Sequence, residues 1–238
     1  MKIDKIIDQW FKETDQQLES KIESYLSSDD KITKLCVCVY ATYKQYCSAI
    51  IQLLNSNYEY PAKALLRCLG ELNAKFTWIL KGCQDNKGTS SESIKKRIER
   101  WEKSACSKMI QLLEDSEVII RPEDRKKHEE TLSSLKQNQE EFKKTNLKNL
   151  PDLKNIFVQL GSSFYDEIRP AFYSSLNDAV HLDPMSMSAI YGSIQQGRET
   201  IESYCIAYAF NINYLIRSRY KIDNQHIKEE YYRLIKII

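Results

Sequence analysis

Only six glycines and five prolines punctuate this chain of 238 residues, which leaves almost nowhere for the tight turns that β-hairpins need. The stretches between them are rich in Leu, Ile, Lys, Glu and Gln, residues that enter a helix at little entropic cost. Their apolar members recur at spacings of three and four, as in Ile3, Ile6, Ile7, Trp10 and Phe11, the signature of one buried helix face. The expectation is an all-α protein, a multi-helix bundle of about eight or nine helices.

A hydrophobic share of 42% is enough for a sizeable core, and residues 1–238 read as a single helical domain. The first helix runs from Lys2 to about Leu26. A second, capped by Asp29 or Asp30, continues to about Asn55 and is apolar around most of its circumference, which places it at the bundle centre. Pro61 sits in the first turn of a third helix that ends at Gly82. Thr89 with Glu92 fits a capping box for the next.

Residues 93–150 differ in kind. Lys, Arg, Glu and Gln dominate, with a thin apolar seam through Ile94, Ile98, Trp101, Met109, Leu112 and Leu113. The segment reads as a protruding charged helical hairpin, broken near Arg121-Pro122 and inserted in the domain as an arm. Such an arm is either a solvated surface pair or the binding surface for a protein partner or RNA. Beyond it come a short helix over LKNIFVQL, a helix running through Pro170 to His181, a long helix from about Met187 to Tyr220, and a last one over HIKEEYYRLIKII.

Seven cysteines, an odd number, lie mostly beside apolar neighbours and read as reduced core residues. Cys36 and Cys38 point apart on a helix and no second Cys/His cluster joins them, so neither a metal nor any other cofactor is expected. The N-terminus is charged throughout and no window reaches eighteen apolar residues, so a cytoplasmic protein with no membrane contact is expected. A net charge of +2 excludes a strongly basic nucleic-acid coat but permits a local basic patch.

Two polar pairs carry the chemistry. Arg67 with Glu71 lies in AKALLRCLGELNAKFTWIL and Asn177 with His181 in FYSSLNDAVHLDP. Each pair is spaced i, i+4, so its members share one helix face about 6 Å apart along the axis. Ions and imidazoles on apolar faces are costly unless answered, and the simplest answer is that the two faces meet in one pocket. Alone, Arg67 and Glu71 form an intrahelical ion pair, and His181 is a structural histidine bonded to a carbonyl or to Asn177. Together, the imidazole is the neutral-pH acid or base, beside a cation for phosphate. His128, in a charge run, and His226, in a terminal helix, read as surface residues.

The same two segments resemble the signature helices of a bacterial domain-of-unknown-function family that is similar to the HEPN (higher eukaryotes and prokaryotes nucleotide-binding) superfamily. Leu66-Arg67, Glu71, Tyr173, Leu176, Val180 and His181 carry the resemblance. It implies a metal-independent ribonuclease or an effector of a defence or toxin system, acting as a homodimer, with His181, Arg67, Glu71 and Asn177 at its site. The Arg-x4-6-His motif of that superfamily is not intact, because Leu176, Ser175 and Ser174 stand where its Arg belongs. The alternative is a non-catalytic interaction or sensor protein. The apolar second helix and the aromatic-rich long helix add a physical reason to expect a two-fold dimer.

Overall fold

The computed structural model describes residues 3–26, 31–81, 93–116, 120–160 and 194–235. Among them are eight α-helices and no strand, packed as a bundle: α1 (Ile3–Leu26), α2 (Lys31–Asn55), α3 (Glu59–Lys81), α4 (Ile94–Ser116), α5 (Arg125–Lys144), α6 (Leu153–Leu160), α7 (Ile194–Arg219) and α8 (Gln225–Ile235). The helical reading of the sequence holds in each of these stretches. The caps expected at Asp29 or Asp30, at Thr89 with Glu92 and at Gly82 lie outside the described residues, as does the helix ending at His181. At the start of α4, Ser93 Oγ accepts from the Lys96 amide at 3.3 Å.

α1, α2, α3 and α7 form the principal core. α2 buries Thr33, Cys36, Tyr40, Tyr43, Cys47, Ile50 and Leu54, at steps that alternate between three and four as in a coiled-coil seam, with Val39 buried beside them. Its other face, with Lys34, Cys38, Lys44, Gln45 and Ser48, is exposed. α2 packs against α1, α3, α4 and α7, and α7 against α1, α2, α3 and α8, so the two helices share the centre of the described bundle. Both helices direct their buried residues into the principal core. Cys38 and Cys68 likewise depart from expectation: both are exposed, while Cys36, Cys47, Cys106 and Cys205 are buried.

Direction follows from the cross-contacts. Arg198 Nη1 donates to Leu54 O at 2.9 Å, and the buried Cys47 lies beside Cys205, so α7 runs antiparallel to α2. Lys63 lies against Gly197 and Asn73 against Asn211, so α7 runs parallel to α3. Trp10 Nε1 donates to Glu230 Oε2 at 2.6 Å and Tyr231 stacks on Phe210 with ring centroids 4.0 Å apart, which closes α8 over the α1–α7 seam. Arg217, buried, donates from Nε to Asp223 O at 2.7 Å and holds the α7–α8 turn.

Two helix ends use the left-handed conformation without glycine. Asn57 (φ 60°) and Lys221 (φ 53°) each close a turn whose next amide reaches back five residues, Tyr58 N to Leu53 O at 2.7 Å and Ile222 N to Arg217 O at 2.8 Å. This is a Schellman geometry, and it reverses the chain between α2 and α3. It also explains how a glycine-poor sequence still turns.

A second, smaller core joins Ala74, Trp78 and Ile79 of α3 to Ile98 of α4 and to Ile156 and Leu160 of α6. It anchors the arm. Arg97 Nε caps α3 by donating to Ile79 O at 2.7 Å, and Arg100 sits 5.1 Å over the Trp78 ring while its Nε and Nη2 both donate to Asn149 O. Beyond this base α4 and α5 pack as a hairpin with the turn Pro122–Asp124 ahead of α5, α4 touching α2 through Glu102 and Lys31, and α5 buries no residue. The seam differs from the expected one. Cys106 and Ile110 are buried, whereas Met109 (46%) and Leu112 (61%) are exposed.

Candidate functional site

α3 presents two distinct faces, and the expected site lies at the boundary between them. Leu66, Leu69, Gly70, Asn73, Ala74, Phe76 and Thr77 are buried against α2, α6 and α7. Arg67 and Glu71 stand at the flank, their side chains 22% and 31% exposed, with Arg67 Nε 3.4 Å from Glu71 Oε1. Lys75, one turn further, brings its Nζ to 3.5 Å from the other carboxylate oxygen, Glu71 Oε2. One carboxylate thus answers two cations and the row keeps net positive charge. An i, i+4 pair of this kind contributes only about 0.2–0.5 kcal/mol to the helix, so folding alone gives little reason for it. Arg67 Nη1 is shielded from solvent and has no hydrogen-bond partner among the described residues.

Lys63 extends the row. Its Nζ lies 3.2 Å from the position a Cβ on Gly197 would take, so the absence of a side chain there lets the lysine pass over the start of α7. Lys63, Arg67, Glu71 and Lys75 are each four residues apart and half-buried, three cations to one carboxylate along one side of α3. Positive charge at this depth, less hydrated than on an open surface, suits phosphate oxygens.

Of the four expected residues, Arg67 and Glu71 are together, and Asn177 and His181 lie outside the described residues. The other two histidines are away from the α3 row. His226 is exposed, its Nδ1 3.8 Å from Glu13 Oε2. His128 departs from the solvated reading in part, because its Nε2 is shielded and without a partner among the described residues, beside Arg121 and Lys127 in an open cavity near the arm's outer turn.

Sequence reasoning missed the polar group on the buried side of α3. Asn73 Oδ1 accepts from Tyr43 OH on α2 at 2.7 Å and from Asn211 Nδ2 on α7 at 2.7 Å. Asn211 Nδ2 also reaches Thr77 Oγ1 at 3.2 Å. The signal was present: Asn73 and Thr77 form an i, i+4 polar pair on the most apolar face of the helix, and buried polar groups must be answered. This cluster fixes the rotation of α3 and thereby which residues reach its flank.

Among the described residues no group of three or more His, Cys, Asp or Glu is placed to hold a metal ion. No helix among them is long and apolar enough to cross a membrane. The chain matches the model of a family of unknown function, DUF5677, over residues 33–199, and it belongs to that family. The matched span takes in Arg67, Glu71, Asn177 and His181 together with the arm. No curated protein and no solved structure matches the chain.

Proposed function

We propose that this DUF5677 family member acts on RNA, as a HEPN-like metal-independent endoribonuclease or effector of a bacterial defence or toxin system. The observation that carries the reading is the half-buried row on α3, where Arg67 and Lys75 share the single carboxylate of Glu71 and Arg67 Nη1 remains without a partner among the described residues. Arg67 binds a non-bridging phosphate oxygen, Lys75 and Lys63 follow the neighbouring phosphates, and Glu71 orients the guanidinium. His181 supplies the acid/base group and Asn177 orients it. In the reaction an imidazole takes the proton of a ribose 2′-hydroxyl, the 2′-oxygen attacks the adjacent phosphorus, and the bond to the 5′-oxygen breaks as that oxygen is protonated.

Salt-dependent binding to a labelled single-stranded RNA tests the interface. Arg67→Ala and Lys75→Ala each lower affinity and each reduce the slope of log K against log salt by about 0.7, the value for one lost phosphate contact on a single strand. An unchanged slope in both variants contradicts the assignment. A second reading, a non-catalytic module that binds a protein partner through residues 93–150, is favoured by a separate observation, the exposed apolar residues Met109 and Leu112 in an otherwise charged hairpin.

A further inference from the structure

An apolar groove lies on the charged helical hairpin. Between α4 and α5 runs a groove of about 860 Å³, in a hairpin whose second helix buries nothing. Its floor is Cys106, Met109, Leu135 and Phe142. One end is closed by residues 145–147, and this strap is held firmly: Lys103 Nζ donates to Leu147 O at 2.7 Å, and Thr145 N and Oγ1 both bond Phe142 O. Arg100 secures the next turn through Asn149 O. The groove is therefore preformed.

Charge on its rims is unevenly answered. Glu102 is held by Lys31 at 3.1 Å. Glu99 on the α4 rim and Glu141 on the α5 rim also line the groove, and neither makes an ion pair with a described residue. Lys96 stands near the closed end. The groove thus offers a greasy floor between two carboxylates, with a cation at its end. From Lys96 to Met109 it follows α4 for about 20 Å, at 1.5 Å per residue.

We propose that this groove receives an amphipathic helix of a protein partner, some three to four turns long, with its apolar stripe on the floor and Lys or Arg along both flanks. Apolar contact provides the affinity and Glu99 and Glu141 select a basic helix over an acidic one. Lys96 favours the orientation in which the partner's C-terminus, the negative end of its dipole, lies at the closed end. Docking here shares no residue with the α3 row, so it stands or falls independently of RNA cleavage.

The probe is a fluorescent synthetic helix of about fourteen residues, about 20 Å long, with a leucine stripe and lysine flanks, and a twin with glutamate flanks, each titrated into the full chain by anisotropy. The wild type binds the lysine-flanked helix at least about ten-fold more tightly than the twin. Glu99→Lys/Glu141→Lys reverses the preference, and Met109→Asp, at an exposed position, abolishes binding of both with an unchanged circular dichroism spectrum. Absence of binding, equal binding of the two helices, or binding untouched by Met109→Asp overturns the proposal. So does self-association of the wild type that Met109→Asp dissolves, which would give the groove to a second copy of the chain.

Discussion

Asn211 Nδ2 lies 2.7 Å from Asn73 Oδ1, joining α7 to α3 across 138 residues of sequence. The same oxygen takes the Tyr43 hydroxyl from α2, so one amide fixes three helices in rotation as well as in register. Because α3 cannot turn, Arg67, Glu71 and Lys75 are held at its flank rather than in the core. The chemistry proposed for that flank depends on a buried contact on the helix's other side.

Replacing Asn73 by leucine removes the acceptor shared by Tyr43 and Asn211 without opening a large cavity. Loss of a buried acceptor from two donors costs on the order of 2–4 kcal/mol. Tyr43→Phe removes one donor and leaves Asn73 bonded to Asn211, and so costs closer to about 1 kcal/mol. Urea unfolding of the two variants checks the difference; equal and small losses would mean that the amide does not organise the three helices.

Much of this fold was legible in the sequence, and the reasons are specific. The Pro122 break, the Pro61 start and the apolar spacing of α1 and α8 each follow from local sequence. That α7 shares the centre with α2 did not, because α2 has the more apolar composition and only the tertiary structure reveals that its outer face is solvated. At the site, the i, i+4 spacing placed Arg67 with Glu71 correctly. The same spacing also joins Lys75 to Glu71 and offered a second claimant on that carboxylate; what spacing could not reveal is that the pair sits at the edge of the apolar face. The Asn73–Thr77 pair obeys the same rule and was the stronger signal of a buried meeting between helices.

The arm's attachment makes a second prediction. Arg100 combines a fork on Asn149 O with stacking over Trp78, and lysine supplies the charge without the fork. Arg100→Lys therefore loosens the arm's base locally. Hydrogen exchange over residues 145–160 accelerates, while amides of α2 and α7, which belong to the larger core, keep their protection. Uniform acceleration in all helices would show that the two cores unfold as one.

Alkaline pH provides a third. Burial raises the Tyr220 hydroxyl to about 12, and burial together with the nearby Asp15 carboxylate raises Tyr40 as well. An unfolded tyrosine ionises near 10, so both groups hold their protons more tightly folded than unfolded. Their contribution is complete below about pH 10 and is lost as pH rises from there through the folded values. The urea midpoint should fall between about pH 10 and 12, and fall less steeply in Tyr220→Phe. A parallel decline in the wild type and the variant would contradict this assignment.

His181 decides the functional reading. A metal-independent cleavage needs a neutral-pH acid/base group, and the two described histidines both lie away from the α3 row. The direct measurement follows cleavage of a labelled RNA by purified wild type and His181→Ala in excess EDTA, with total RNA integrity scored during expression in a bacterial host. The account predicts cleavage by the wild type, unaffected by EDTA, and at least a ~10²-fold loss in His181→Ala with an unchanged thermal midpoint. Equal rates for the two proteins, or intact RNA and equal growth with both, would contradict the ribonuclease reading and leave the arm's partner-binding role standing.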